Sequence, residues 1–276
     1  MIVVVGARGM LGHDLLELYG SAARGVYHDE MEITSVASVE KVLQKLRPTV
    51  VINTAAYTDV DGCETNPERA FQVNGEGVLN LARITAGLDA KLVQVSSDYV
   101  FDGSKSSPWS EDDRVNPLSV YGRSKLAGEE NARINSNHLI VRTQWLYGLH
   151  GKNFVETMLR LGREKNEISV VDDQVGSPTW AVDLSVAVKA LIENDCRGTY
   201  HAANAGFCSW CEFAAAIFAE TGYDTHIKPI TTGELERPAP RPLYSVLDCR
   251  KLTRDTGFAP EGWREALKKY LFERGN

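Results

Sequence analysis

The chain has 276 residues, long for one hydrophobic core and short for two independent ones, so one large domain or two intimate ones is expected. Hydrophobic residues make up 43% and charged residues 24%, an ordinary globular balance that excludes disorder as the default. A formal net charge of −7 argues against a nucleic-acid surface, yet it leaves room for a phosphorylated ligand, because backbone N–H groups at a helix start bind phosphate even on an acidic protein. No stretch carries the roughly 18 apolar residues of a membrane span. The start, Met1 to Val5, runs straight into a glycine turn without a basic region or cleavage site, and reads as a first strand rather than a signal peptide. Five scattered cysteines suit a reducing cytoplasm.

In chain order, Ile2 to Val5 reads as a buried strand, followed at once by Gly6-Ala7-Arg8-Gly9-Met10-Leu11-Gly12. Leu11, Leu15, Leu16 and Leu18 then give a helical stripe. Gly25 to His28 is a short second strand, and Val39, Val42, Leu43 and Leu46 mark a second helix stopped by Pro48. Thr49 to Ile52 is a β-branched third strand. Asn66-Pro67 predicts a capped helix start with proline in the first turn, and Phe71, Val78 and Leu81 line that helix. Lys91 to Ser96 is a fourth strand, Asn116-Pro117 a second such helix start, and His138 to Arg142 a fifth strand. Strand and helix thus alternate through about the first 150 residues, which predicts a parallel sheet covered on both faces.

After Gly151 the alternation loosens. Asn153 to Leu161 reads as a helix, Ile168 to Val171 as a strand, Ala181 to Ile192 as a helix and Gly198 to His201 as a strand. Ser209 to Glu220 is an amphipathic helix, Arg237 to Pro242 is too proline-rich for a regular element, and Trp263 to Phe272 is a closing helix. The expected fold is α/β: a Rossmann-type doubly wound parallel sheet with a smaller C-terminal substrate lobe. Residues 1–150 form the dinucleotide-binding domain, which also receives elements from about 176–203, and 151–276 the substrate-binding lobe. Cys208 and Cys211 form a C-x-x-C that admits a redox or metal role, but no second pair completes a zinc site. Ser209 and Glu212 have capping-box spacing, so the cysteines are read as flanking a helix start.

Gly6, Gly9 and Gly12 space as G-x-x-G-x-x-G between the first strand and first helix. Such a turn needs a tight bend, close backbone approach to a pyrophosphate, and close packing of helix on strand. This spacing resembles the fingerprint of extended short-chain dehydrogenases/reductases. An acid near the end of the second strand favours a free ribose 2′-OH and a base favours a 2′-phosphate. Tyr27-His28-Asp29-Glu30 and Arg8 give conflicting cues, so use of both NADH and NADPH is predicted.

Tyr121-Gly122-Arg123-Ser124-Lys125 is a Y-x-x-x-K, whose ends share one helix face. The Lys125 ammonium is expected to lower the phenol pKa of Tyr121 and make it a usable general acid. With ten tyrosines in the chain the pair alone is poor evidence, but its place between the fourth and fifth strands, with Ser97 ending the fourth, strengthens it. Ser97, Tyr121 and Lys125 match the Ser/Thr–Tyr–Lys set of the short-chain superfamily.

Further motifs run in order: Ala56-Tyr57-Thr58-Asp59-Val60-Asp61; Ser96-Ser97-Asp98-Tyr99-Val100-Phe101-Asp102-Gly103; Tyr121 to Glu129, YGRSKLAGE; Arg142-Thr143-Gln144-Trp145-Leu146-Tyr147-Gly148; Asn153-Phe154 with Met158 to Leu161; and Asp172 to Thr179. Together they resemble the dTDP-4-dehydrorhamnose reductase family. The resemblance implies NAD(P)H-dependent reduction of the C4 keto group of a nucleotide-activated sugar. It implies cofactor contacts at Gly6, Arg8, Gly9, Met10, Leu11, Gly12, His28, Glu32, Ile33, Ala55, Ala56, Tyr57, Tyr121 and Lys125. Thr58, Val60, Ser97, Asp98, Tyr99 and Trp145 line the substrate side, although Trp145 also reads as a core tryptophan and Asp98 as a turn residue. Some family members bind Mg²⁺ through acids at a dimer contact. Asp14, Glu193 and Asp195 match those positions loosely, and no metal requirement is predicted.

The family often forms homodimers. Partners other than the sugar nucleotide, nucleic acid and membrane included, are not expected. A dehydratase would place an Asp–Glu pair after the catalytic hydroxyl residue, whereas Asp98 is followed by Tyr99. An epimerase would hold and recycle its cofactor. The regulatory subunit of methionine adenosyltransferase resembles this family, but lacks the tryptophan matching Trp145.

Overall fold

The structure, a computed structural model, describes residues 1–275. Its elements are β1 (Ile2–Val5), α1 (Met10–Tyr19), β2 (Ala23–Val26), α2 (Val36–Leu46), β3 (Val50–Asn53), α3 (Val60–Thr65), α4 (Pro67–Phe71), α5 (Gly77–Gly87), β4 (Lys91–Ser97), α6 (Val120–Ala132) and β5 (His138–Thr143). They continue with β6 (Leu146–Tyr147), α7 (Phe154–Glu164), β7 (Glu167–Val171), β8 (Val175–Gly176), β9 (Thr179–Trp180), α8 (Ala181–Glu193) and β10 (Gly198–His201). The remainder are β11 (Cys208–Ser209), α9 (Trp210–Thr221), β12 (His226–Ile230), α10 (Thr232–Leu235), α11 (Arg250–Thr256) and α12 (Trp263–Arg274).

Six strands form a parallel sheet in the order β10-β5-β4-β3-β1-β2. The inner strands β1, β3, β4 and β5 have apolar centres because both faces are covered, whereas the edge strands β2 (Ala23-Arg24-Gly25-Val26) and β10 (Gly198-Thr199-Tyr200-His201) are mixed. Val4, Ile52, Val93 and Val141 point to one face, where Leu11 and Leu15 of α1 and Leu184 and Leu191 of α8 close over them. Val3, Val5, Val51, Leu92 and Ile140 point to the other, against Val39 and Leu43 of α2 and Val78 and Leu81 of α5. A separate core of Tyr147, Val155, Leu159, Phe213, Ile217, Trp263 and Tyr270 knits α7, α9 and α12 into a second lobe.

Some boundaries differ from expectation. The second strand ends at Val26, whose carbonyl accepts from Gly6 N and Ala7 N, so the glycine turn uses the peptide that would have extended it. Helix α6 starts at Val120 with Ser119 as its cap, the Ser119 hydroxyl accepting from Gly122 N at 3.1 Å, and not at Asn116-Pro117. Asn116 instead donates to Asp102 at 2.9 Å. Both halves of the Ser209–Glu212 capping box form, Cys208 is buried, and all five thiols are free. Among the described residues no helix is long and apolar enough to cross a membrane.

Candidate active site

The glycine turn is built so tightly that side chains have no room. Gly6 has φ of 77°, and a Cβ there would lie 2.6 Å from Ala55 N. A Cβ on Gly12 would lie 2.6 Å from the Gly6 carbonyl oxygen, and one on Gly9 3.2 Å from it. Gly9 caps α1 without a side-chain bond, leaving first-turn N–H groups to an anion. Thr54 closes the back of the turn by donating to the Val5 carbonyl at 2.8 Å. This is a cradle that a Cβ would fill, and it fits a dinucleotide pyrophosphate.

Beside the turn lies a cavity of about 330 Å³ walled by Gly6, Arg8, His28, Glu32, Ile33, Ala55, Ala56 and Tyr57. The Tyr57 end is pinned by its N–H to the Asn74 side-chain carbonyl at 2.8 Å. Arg8 lies over the Tyr27 ring, 5.0 Å from its centroid, and pairs with Asp29 at 3.2 Å. His28 pairs with Glu32 at 2.8 Å. The Thr34 N–H, helped by its hydroxyl, holds the Glu32 carboxyl below its ordinary value against the effect of burial.

A larger cavity of about 500 Å³ adjoins the first, sharing Gly9 and Ala56 with it. Met10 and Leu11 enter it from α1, Ser97, Asp98 and Tyr99 from the end of β4, Tyr121 and Lys125 from α6, Thr58 and Val60 from the start of α3, and Trp145 from the loop after β5. Of the residues expected at the site, Gly12 alone lines neither cavity, because it packs beneath the turn. Sequence reasoning did not name as site residues Thr54, which lines both cavities, or Gln144, His150, Lys152 and Arg69, which line one each. Gln144 sits within the Arg142 to Gly148 motif beside Trp145, while the other four sit in no local pattern that marks them.

The Ser97 hydroxyl donates to the Asp98 carboxylate at 2.9 Å, and Tyr99 N donates to Ser97 at 3.2 Å. The Tyr99 ring stands edge-on to Tyr121, centroids 5.4 Å apart. Burial pushes the Asp98 carboxyl up to about 6, with the Ser245 and Ser97 hydroxyls holding it back. The expected lowering of the Tyr121 pKa is not found. Burial pushes the phenol above its ordinary value, the neighbouring Ser97 hydroxyl acts against that, and Asp98 adds to it. The Lys125 ammonium donates to the Val95 carbonyl at 2.7 Å, and burial pushes it down to about 8 against the pull of Glu129. The phenol therefore stays protonated at neutral pH, the form required of a proton donor.

Trp145 adopts φ of 46° and stacks on Trp210, the first residue of α9, so the second lobe supports the cavity wall. Next to it, Gln144 accepts from Ser177 N at 3.1 Å and from the Ser245 hydroxyl at 3.2 Å.

Residues 1–275 match the model of the RmlD substrate binding domain family. The chain belongs to that family. It is 42% identical over 279 residues to the spore coat polysaccharide biosynthesis protein SpsK of Bacillus subtilis, covering 100% of this chain and 98% of that protein. Among solved structures, a dTDP-4-dehydrorhamnose reductase from Clostridium acetobutylicum is similar at 43% identity and a TM-score of 0.96, covering 99% of this chain and 98% of the other. A dTDP-4-dehydrorhamnose reductase from Bacillus anthracis in complex with NADP is similar at 39% identity and a TM-score of 0.95, with the same coverage.

Within this one chain of the RmlD family, Asp14, Glu193 and Asp195, the acids matched loosely to a Mg²⁺ site at a dimer contact, do not form a cluster. Asp195 pairs with Lys91 at 2.7 Å and Glu193 with Lys189 at 3.8 Å. Asp14 is buried, which pushes its carboxyl up to about 6, and its ligating atom lies within 4.8 Å of ring nitrogens of His13 and His150. Mg²⁺ takes oxygen ligands, so two imidazoles and one carboxylate do not fit it.

Proposed function

We propose that this chain reduces the C4 keto group of dTDP-4-dehydro-L-rhamnose to give dTDP-L-rhamnose, using NADH or NADPH. The observation that carries the reading is the convergence of Ser97, Tyr121 and Lys125 in a cavity that abuts the glycine cradle. The two solved relatives named as dTDP-4-dehydrorhamnose reductases, one with NADP bound, support the substrate and the cofactor class.

When bound, the nicotinamide cofactor supplies the hydride. The Gly9 N–H is already given to the Gly6 carbonyl at 2.9 Å, so the first-turn N–H groups of Met10 and Leu11 would hold the pyrophosphate, with Gly6 and Gly12 giving the backbone room to approach. Arg8, His28, Glu32, Ile33 and Ala55 to Tyr57 would hold the adenosine end. As the C4 oxygen gains charge, Tyr121 donates its proton to it and the Ser97 hydroxyl, turned from its bond to Asp98, donates to the same oxygen. Lys125, whose ammonium donates to the Val95 carbonyl and lines the same cavity, would hold the nicotinamide ribose. Thr58, Val60, Asp98, Tyr99 and Trp145 bound the sugar and exclude water. In this reading residues 1–150, with the elements within 176–203, bind the dinucleotide, and the remainder completes the sugar site. Cysteine usage supports a cytoplasmic enzyme, with all five thiols free.

The test is nicotinamide oxidation by the purified protein with dTDP-4-dehydro-L-rhamnose beside a Tyr121→Phe control. Turnover in the wild type that falls by roughly 10²–10⁴ in the variant, with cofactor affinity kept, supports the reading. A variant within a few-fold of wild type removes Tyr121 from the acid role. No oxidation by wild type with either cofactor overturns the substrate assignment.

A further inference from the structure

The catalytic helix α6 carries a buried acid one turn beyond Lys125 that the reaction does not consume. Glu129 has no exposed surface. One of its oxygens accepts from the Ser96 hydroxyl at 2.6 Å and from Arg142 Nε at 2.8 Å, and the other from Arg142 Nη2 at 2.8 Å. Ser96 lies on β4 beside Ser97, and Arg142 lies on β5 beside Thr143, so a single carboxylate ties α6 to the two strands whose ends build the cavity. Arg142 is itself 3% exposed, packs over the Phe101 ring and meets His201 of β10 at 3.4 Å. His201 in turn bonds the Trp109 carbonyl. Burial and Arg142 push His201 down to about 3, so the chain of contacts is one anion, one cation and one neutral ring.

We propose that Glu129 is a positioning residue for this reaction: its carboxylate locks α6 to β4 and β5 and so fixes where Tyr121 and Lys125 stand relative to Ser97. The inference rests on the reductase reading above. A bidentate, fully enclosed carboxylate–guanidinium pair has one low-energy geometry, unlike a packed apolar contact, which slides. Positions four apart on a helix share a face, so locking residue 129 also fixes the orientation of residue 125. Lys125 is buried, and its ammonium meets the Val95 carbonyl on one side.

The charges around the pair are unevenly shared. Glu129 is the charge that holds Lys125 up against burial. Asp98 and Tyr99 from the turn after β4, and Cys63 from α3, act on Tyr121 instead. Arg133, just past the end of α6, lies 3.6 Å from the Glu129 oxygen that also takes Arg142 Nη2, and Glu64 of α3 accepts from Val120 N at the far end of the helix. Removing the Glu129 charge therefore acts on Lys125 and leaves the acids facing Tyr121 in place.

The experiment compares wild type, Glu129→Gln and the charge-balanced pair Glu129→Gln with Arg142→Met, which secures a folded protein if the single variant melts. Steady-state kinetics across pH is read beside an NMR titration of Lys125 in lysine-¹³Cε-labelled, cofactor-free protein. In both variants kcat is expected to fall at least about tenfold, with KM for the sugar nucleotide within a few-fold. The pH midpoint of alkaline activity loss and the Lys125 titration are expected to move lower together, by about one pH unit or more. A folded variant with an unmoved Lys125 titration, or a double variant that recovers kcat along with stability, overturns the proposal and leaves Glu129 a structural residue. Absence of reduction by the wild type sinks the reductase reading, while the Lys125 titration still decides whether Glu129 acts on it.

Discussion

Trp145 lies flat against Trp210, ring centroids 3.5 Å apart and planes 6° from parallel. One ring comes from the end of the central sheet and the other from the start of α9, so the cavity wall is shared between the two halves of the chain. A Cβ on Gly176 would lie 2.5 Å from the Trp145 ring, which makes Gly176 the floor on which that ring rests. Trp145→Ala is expected to raise KM for the sugar nucleotide about tenfold through lost contact area. Gly176→Ala is expected to raise it by a similar factor by displacing the Trp145 ring, with neither tryptophan substituted. Kinetics on the two variants, with NADPH affinity as the control, checks this. A Gly176→Ala enzyme with wild-type KM would show that the ring position is not what the substrate feels.

The alkaline behaviour follows from Lys125. Its ammonium is held near about 8, below the ordinary 10.5, so the cation is lost as pH rises through about 8. The active form is the protonated one, so kcat/KM is expected to fall on that limb. The stability linkage has the opposite sign. Between about 8 and 10.5 the unfolded chain holds this proton more tightly than the folded one, so this group's contribution to stability rises with pH across that window. Its burial penalty is fully present below about 8. A pH–rate profile and urea melts at several pH values separate the two, and a parallel loss of stability and activity above pH 8 would contradict the assignment.

In the proposed reading, cofactor choice is expected to turn on Arg8. Its guanidinium is pre-set over Tyr27 but is already paired with Asp29, and both side chains are largely exposed, so the pair is weak and exchangeable. Wild type is expected to use NADPH and NADH with kcat/KM values within about a hundredfold. Arg8→Ala is expected to lower the NADPH value about tenfold and leave NADH nearly unchanged, the size of one charge-assisted contact. Equal losses with both cofactors would place Arg8 on the pyrophosphate instead.

Two substitutions probe the frame. Gly12→Ala puts a Cβ 2.6 Å from the Gly6 carbonyl oxygen, and fluorescence titration is expected to show cofactor affinity reduced at least tenfold. Arg142→Met strips the enclosed Glu129 charge of its bidentate partner, leaving only Arg133 at 3.6 Å, and is expected to cost about 3–5 kcal/mol in urea unfolding. Adding Glu129→Gln should restore most of that loss, because the stranded charge is gone.

The parallel sheet was legible because its strands are short apolar runs bounded by glycine, proline and polar turns, a pattern that burial on both faces imposes. The glycine turn and the Tyr121–Lys125 pair were legible because helix and turn geometry fix their spacing locally. The start of α6 was misplaced because Asn116-Pro117 carries the composition of a cap, yet the Asn116 side chain is taken by Asp102 and Ser119 caps in its place. Strand β12 escaped notice because Pro229 sits inside it, where the missing N–H is tolerated in a two-stranded pair with β7. Lys152 was invisible for another reason: its place in the cavity is set by strands and loops distant in sequence. The raised phenol of Tyr121 also depends on enclosure, which no four-residue spacing encodes.

Strand β10 lies beside β5 in the sheet, yet α7, β7 and α8 are all made between them. A nascent chain that has emerged only as far as residue 150 therefore has β5 as a bare edge, with Leu139 and Val141 lacking the α8 side chains that cover them. Residues 1–150 therefore cannot complete the sheet by themselves: the β5 edge stays unpaired until residue 201 has been made, and an unpaired edge is open to self-association. Fragments cut near residue 150 inherit the same bare edge permanently, so the sheet ties the two parts of the chain together in folding.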